Sequence, residues 1–257
     1  MPTFWLVLAL IALSVAGFFL GRNRTLVSAG GNSKDLHSLP SYYGHNVALS
    51  ALVPALALLA IWLLVQPMII DQRVSGMIPE ETISEGSTIG LVMSDVRRVA
   101  EGLDLAVTEG AMTHEQARNL RSEFSDVRGR LGEIGVALGA DVRPEVLRAA
   151  QTYRTLSNTG NIAMTVMVAL VALGGFGWSY GRTHKDFRAR NVVEQGILAL
   201  LILAASLAIL TTIGIVLSML FETRNFFSLH SWTDFFFGGT WAPNFRGDSD
   251  LSILPLL

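Results

Sequence analysis

The chain contains no cysteine. That excludes disulfides, thiolate metal sites and cysteine nucleophiles, and it leaves the cellular compartment open. No G-x-x-x-x-G-K-[ST] loop is present to cradle a nucleotide phosphate, so the chain is not expected to hydrolyse ATP itself. The histidines, His37, His45, His114, His184 and His230, show no metal-ligand spacing, and His114-Glu115 lacks the second histidine of an H-E-x-x-H site. These absences make an enzyme or a cofactor-dependent protein an unexpected reading, and they offer no catalytic or metal-binding residue to name. Charge is also scarce. Charged residues make up 16% of the chain, against roughly 25% in soluble globular proteins. The formal net charge is −2, so no basic stripe is available for nucleic-acid phosphates.

What is abundant is apolar surface, 51% of the residues, and it is gathered in four blocks. Met1–Gly21, Asn46–Ile70, Thr155–Gly181 and Gln195–Phe221 carry no charged residue. Each is long enough for a bilayer, which needs about 20 apolar residues. Pro54, inside the second block, removes one helical hydrogen bond and is tolerable where a neighbouring helix satisfies the freed carbonyl. The first block lacks a basic stretch before it and an A-x-A-like cleavage site, so it reads as a retained helix. Two small-residue pairs, Gly17/Gly21 and Gly177/Gly181, have the spacing that lets membrane helices approach closely. Glycine is also simply common in such helices, which is the plainer reading of both pairs. Gly30-Gly31-Asn32-Ser33 reads as a flexible linker.

Lysine and arginine fix the expected orientation. Arg22, Arg24 and Lys34 follow the first block, and Arg182, Lys185, Arg188 and Arg190 follow the third, against the acids Asp35 and Asp186. Both loops are expected in the cytoplasm, which places both termini and the central segment outside it. Residues 71–154 hold fourteen acids against ten arginines, and no lysine. The expected architecture is therefore an all-α integral membrane protein with four transmembrane helices and an extracytoplasmic helical hairpin between the second and third. Its expected divisions are 1–70, two membrane helices with a cytoplasmic linker; 71–154, the hairpin; 155–221, two further membrane helices; and 222–257, an interfacial segment.

Within the central segment, Ile89, Val92, Val96, Val99, Leu103 and Ala106 alternate spacings of three and four. Ala117, Leu120, Phe124, Val127, Leu131, Ile134 and Leu138 repeat the pattern. Each row makes an apolar seam, and the two seams are expected to bury one another in an antiparallel hairpin. Glu109-Gly110 offers a stop, Thr113-His114-Glu115-Gln116 a capping box, and Pro144 the first turn of a shorter helix that runs into the third span. Arg97, Arg98, Glu101, Arg118, Arg121 and Arg128 fall off the seams and read as a solvated face.

After the fourth block the chain turns aromatic, with Phe226, Phe227, Trp232, Phe235, Phe236, Phe237 and Trp241. Such rings favour the headgroup layer, so an ordinary aromatic belt is one reading. The order of residues is more specific. Phe226-Phe227, Trp232, Phe235-Phe236-Phe237-Gly238-Gly239-Thr240-Trp241-Ala242-Pro243-Asn244-Phe245 and Ile253-Leu254-Pro255-Leu256-Leu257 resemble the segment after the first core helix of the permease subunit in the high-affinity phosphate ABC transporter, the PstC type. The resemblance implies an N-terminal portion of such a permease in the inner (plasma) membrane. It also implies that the helices lining the phosphate path lie beyond Leu257. Implied partners are a second permease subunit, cytoplasmic ATPase subunits and a periplasmic phosphate-binding protein, in addition to membrane lipid. The alternative is a membrane-anchored periplasmic sensor or interaction module, whose seams would pair between two protomers.

The orientation is checked by labelling single cysteines in the otherwise cysteine-free chain. Positions Ser33 and Asp186 should react only from the cytoplasm, and Ser125 and Ser249 only from the periplasm. Periplasmic labelling at 186 would overturn the orientation.

Overall fold

A computed structural model describes residues 3–79, 88–120, 129, 132, 142–244 and 251–256. Every regular element among them is a helix. The elements are α1 (Thr3–Ser28), α2 (Pro40–Ser75), α3 (Ile89–Thr108), α4 (His114–Asn119), α5 (Pro144–Arg182), α6 (Ala189–Leu229) and α7 (Trp232–Phe237), with 3₁₀ turns at Ser33–Asp35 and Leu254–Leu256. α1, α2, α5 and α6 are long and apolar enough to cross a membrane, as their charge-free blocks require. The chain divides into two compact units, residues 1–193 and 194–257.

The first unit is built on α2 and α5. Their 36 and 39 residues correspond to about 54 and 58 Å of helix at 1.5 Å per residue, well beyond a hydrocarbon core of about 30 Å. Both begin on a proline at the first turn, Pro40 and Pro144, where the missing N–H costs nothing. In the apolar bundle, Leu6 and Leu10 of α1 meet Ala55 and Leu59 of α2 and Met164, Val168 and Ala172 of α5. Lipid is as apolar as these side chains, so close approach rather than water exclusion must hold the helices. Small residues supply it. A Cβ on Gly17 would press on Val47 and Phe176, one on Gly21 on Val47 and the Tyr43 carbonyl, and one on Gly44 on the Phe18 backbone.

Of the two glycine pairs in the sequence, only Gly17/Gly21 makes such a seam. Gly177 and Gly181 face open space, and it is Gly175, beside them, that packs against α2. A Cβ there would collide with the Ser50 carbonyl oxygen. Pro54 lacks the N–H that this oxygen would receive in an unbroken helix. The hydrogen that replaces a side chain on Gly175 points at it instead, a weak Cα–H···O contact.

Beyond the apolar blocks, the outer ends of α2 and α5 carry a helical cap. Its core joins Ile70, Val74 and Ile78 to Val92, Val96, Val99, Leu103 and Ala106 of α3 and to Val146, Leu147, Ala149 and Ala150 of α5. The α3 seam is thus buried as its spacing requires, except at Ile89, which is exposed. Part of what covers it was not among the expected partners. α3 lies on the small residues of α5 and the end of α2, with Ala117 and Leu120, the first two positions of the second seam, joining the same core. The rest of that second seam lies outside the described residues. Gly110 stops α3 at φ +77°, a left-handed conformation that glycine adopts without strain. Thr113 Oγ1 accepts from the Gln116 N–H, and Gln116 Oε1 accepts from the Thr113 N–H, a complete capping box. Gln151 on α5 then donates to the Ala117 and Leu120 carbonyls and ties α4 down.

In the second unit α6 continues to Leu229, and the 18-residue apolar window within it buries none of its residues, as suits a helix that meets lipid. α7 folds back so that Phe226 and Phe227 meet Phe235 edge-on at 5.2 and 5.7 Å, while His230 stacks on Phe226 at 4.7 Å. The Ile253 N–H donates to the Phe235 carbonyl at 2.8 Å, bringing the Ile-Leu-Pro-Leu segment back to this aromatic cluster.

Gly175→Ala should destabilise the full protein by about 1–3 kcal/mol, the usual cost of overpacking. Gly177→Ala should be neutral or stabilising by up to about 1 kcal/mol, since alanine is the better helix former in open space. Unfolding in mixed micelles with increasing sodium dodecyl sulfate measures both. Equal effects would contradict the Gly175–Ser50 approach.

Candidate functional site

Polar groups in the first unit collect in three places, each bordered by α5. At the end of the bundle away from the cap, Asn46 Nδ2 donates to Ser179 Oγ at 2.6 Å, with both residues buried. A buried amide needs such a partner, because leaving it unpaired costs about 1–3 kcal/mol. Beside it, the fully buried Tyr43 donates its hydroxyl to the Lys185 carbonyl at 3.1 Å. Arg24 Nε donates to the Thr183 carbonyl at 3.2 Å, and its guanidinium lies 4.3 Å over the Tyr180 ring. The Arg190 N–H donates to Ser38 Oγ at 3.3 Å. Together these bonds bring the two basic loops to one end of the bundle, opposite the cap.

Nearer the cap, Gln66 sits among three partners. Its Oε1 accepts from Trp62 Nε1 at 2.6 Å, and its Nε2 donates to the Ser157 carbonyl at 3.3 Å and to Asn161 Oδ1 at 3.1 Å. Gly160 makes room, since a Cβ there would strike the Gln66 amide. Next to this knot, α2 and α5 enclose an apolar groove of about 320 Å³.

The third place is a polar cleft of about 240 Å³ in the cap, lined by His114, Glu115 and Arg118 of α4 and by Gln151, Arg154 and Asn158 of α5. Arg154 pairs with Asp104 and places Nη2 3.1 Å from His114 Nδ1. A second ion pair, Arg97–Asp71 at 3.0 Å, fastens α3 to the end of α2. Both pairs are partly solvated and contribute at most about 1 kcal/mol each.

Most of the sparse polar residues of the spans thus have structural partners. Asn46, Gln66 and Asn161 bond between helices, while the Thr165, Thr211 and Thr212 hydroxyls donate to carbonyls four residues back on their own helices. Asn158 lines the cap cleft, and the Ser50 carbonyl meets Gly175. The histidines are dispersed: His45 lies on Phe18, His184 on the Arg182 carbonyl, and His230 on Phe226. Sequence reading did not pair Gln66 with Gly160, although the lone glutamine of a charge-free span was a signal that a partner must exist.

This arrangement can position helices and loops, but the apolar blocks bring no Lys, Arg or His into the bilayer. A family described as phosphate ATP-binding cassette transporter matches residues 7–177. The match covers more than half of the sequence, and the chain belongs to that family. It spans α1, α2, the cap and most of α5, a different stretch from the aromatic segment that carries the resemblance. Neither the curated proteins nor the solved structures contain a match.

Proposed function

We propose that this chain is part of the permease of an ABC-type importer of inorganic phosphate, of the PstC type, and that it acts as scaffold and extracytoplasmic cap. The observation that carries the scaffold role is the neutrality of the spans. An anion crossing a bilayer needs cationic or polar groups on a shared cavity, and the amides of Asn46, Gln66 and Asn161 are taken up in bonds between α2 and α5. Family membership favours a transporter over a sensor. In this reading the basic loops face the cytoplasm, where ATPase subunits dock on the assembled permease. The cap stands on the side from which a phosphate-binding protein delivers its cargo, and a second permease subunit completes the pathway. ATP hydrolysis belongs to the ATPase subunits, and the host membrane is the inner (plasma) membrane.

Vesicles holding residues 1–257 with the ATPase and the binding protein alone should show membrane insertion but no ATP-dependent accumulation of radiolabelled phosphate. Fusion of the chain to a PstC-type permease core, with the second permease supplied, should give uptake. Accumulation without that core would place a working pathway in these four helices and overturn the scaffold role.

A further inference from the structure

The groove between α2 and α5 has the shape and chemistry of a binding site for a single lipid. Ile61, Val65 and Ile69 recur every four residues on α2 and so form one stripe, which ends at Arg73. Leu156 and Gly160 of α5 form the opposite wall. From Ile61 to Arg73 the stripe runs about 18 Å at 1.5 Å per residue, close to the roughly 15 Å depth of one hydrocarbon leaflet. An acyl chain laid along it would begin near the bilayer midplane and bring its headgroup to the arginine.

Two features separate this groove from an ordinary lipid-facing surface. The first is a fixed floor. Trp62, Ser157 and Asn161 hold the Gln66 amide from three sides, and Gly160 leaves the space that amide occupies. The groove therefore exists before anything enters it, and an entering chain orders few side chains. The second is charge. Arg73 is exposed and makes no ion pair or hydrogen bond among the described residues. The nearest acid on its helix, Asp71, is already engaged by Arg97. A guanidinium without a partner among the described residues, at the rim of an acyl-length groove, is complementary to a phosphate-bearing headgroup.

We propose that this groove binds one anionic phospholipid from the leaflet on the cap side, with an acyl chain along Ile61, Val65 and Ile69 and the headgroup phosphate on Arg73. The bound lipid seals the junction where α2 and α5 leave the bilayer for the cap.

Trp62 lines the groove and reports on its occupant. The full chain is reconstituted in bilayers containing phosphatidylglycerol or phosphatidylcholine with brominated acyl chains, which quench a tryptophan they touch. Subtracting the signal of Trp62→Phe removes the other four of the five tryptophans. Half-quenching of Trp62 should need about fivefold less brominated phosphatidylglycerol than phosphatidylcholine, the selectivity of one arginine near the surface. Arg73→Gln should abolish that preference and Arg73→Lys should retain it, with the helical circular dichroism unchanged in both. Equal half-quenching by the two lipids would reduce the groove to ordinary boundary lipid and overturn the proposal. A preference that survives Arg73→Gln would overturn the headgroup assignment. No Trp62-dependent quenching by either lipid would mean that protein, another helix or a second copy, fills the groove, and would overturn it too.

Discussion

The close approach of α2 and α5 is the contact on which the first unit depends. Inside the bilayer it cannot draw on water exclusion, and the charge-free spans contain no ion pair. It rests instead on geometry. Gly175 admits the Ser50 carbonyl, Gly160 admits the Gln66 amide, and Asn46 meets Ser179. Pro54 and Gly175 form a matched pair. The proline frees an acceptor on one helix, and the glycine on the other is small enough to approach it. α1 then closes the bundle through Gly17 and Gly21 on Val47.

The same two helices make the cap possible. α3 presents an apolar seam that a single helix cannot bury alone. The seam finds Val146, Leu147, Ala149 and Ala150 because α5 begins eleven residues before its apolar block, and it finds Val74 because α2 continues past its own. Displacement of the cap therefore bears directly on the spacing of two membrane helices. In the proposed permease that continuity would give a mechanical route from outside the bilayer to the helices within it.

Much of this was legible in the sequence for identifiable reasons. Four charge-free blocks of bilayer length gave the spans, because a charge in hydrocarbon is costly. The capping box at Thr113, the stop at Gly110 and the start at Pro144 were readable because each depends only on neighbouring residues. The place of α2 and α5 beside the α3 seam was not readable. A three-four repeat shows which face is buried, but not what buries it, and the expected second seam and the end of α5 are equally apolar. The glycines show the same limit. Gly17/Gly21 and Gly177/Gly181 have identical spacing, and only the helix opposite decides that one pair is packed and the other open. Gln66 and Gly160 lie far apart in the chain, and the pairing appears only when α2 and α5 stand side by side.

α2 and α5 pass unbroken from the bilayer into the cap. Hydrogen exchange of the full chain in lipid nanodiscs tests it most directly, because backbone protection reports local opening. Slow exchange is expected at amides 68–75 and 147–160, without a step where the apolar blocks end, and common loss of protection when denaturant is added. Rapid exchange at 71–75 and 147–154 beside a protected bundle would show that the helices break at the membrane surface, and would contradict the coupling of cap to spans.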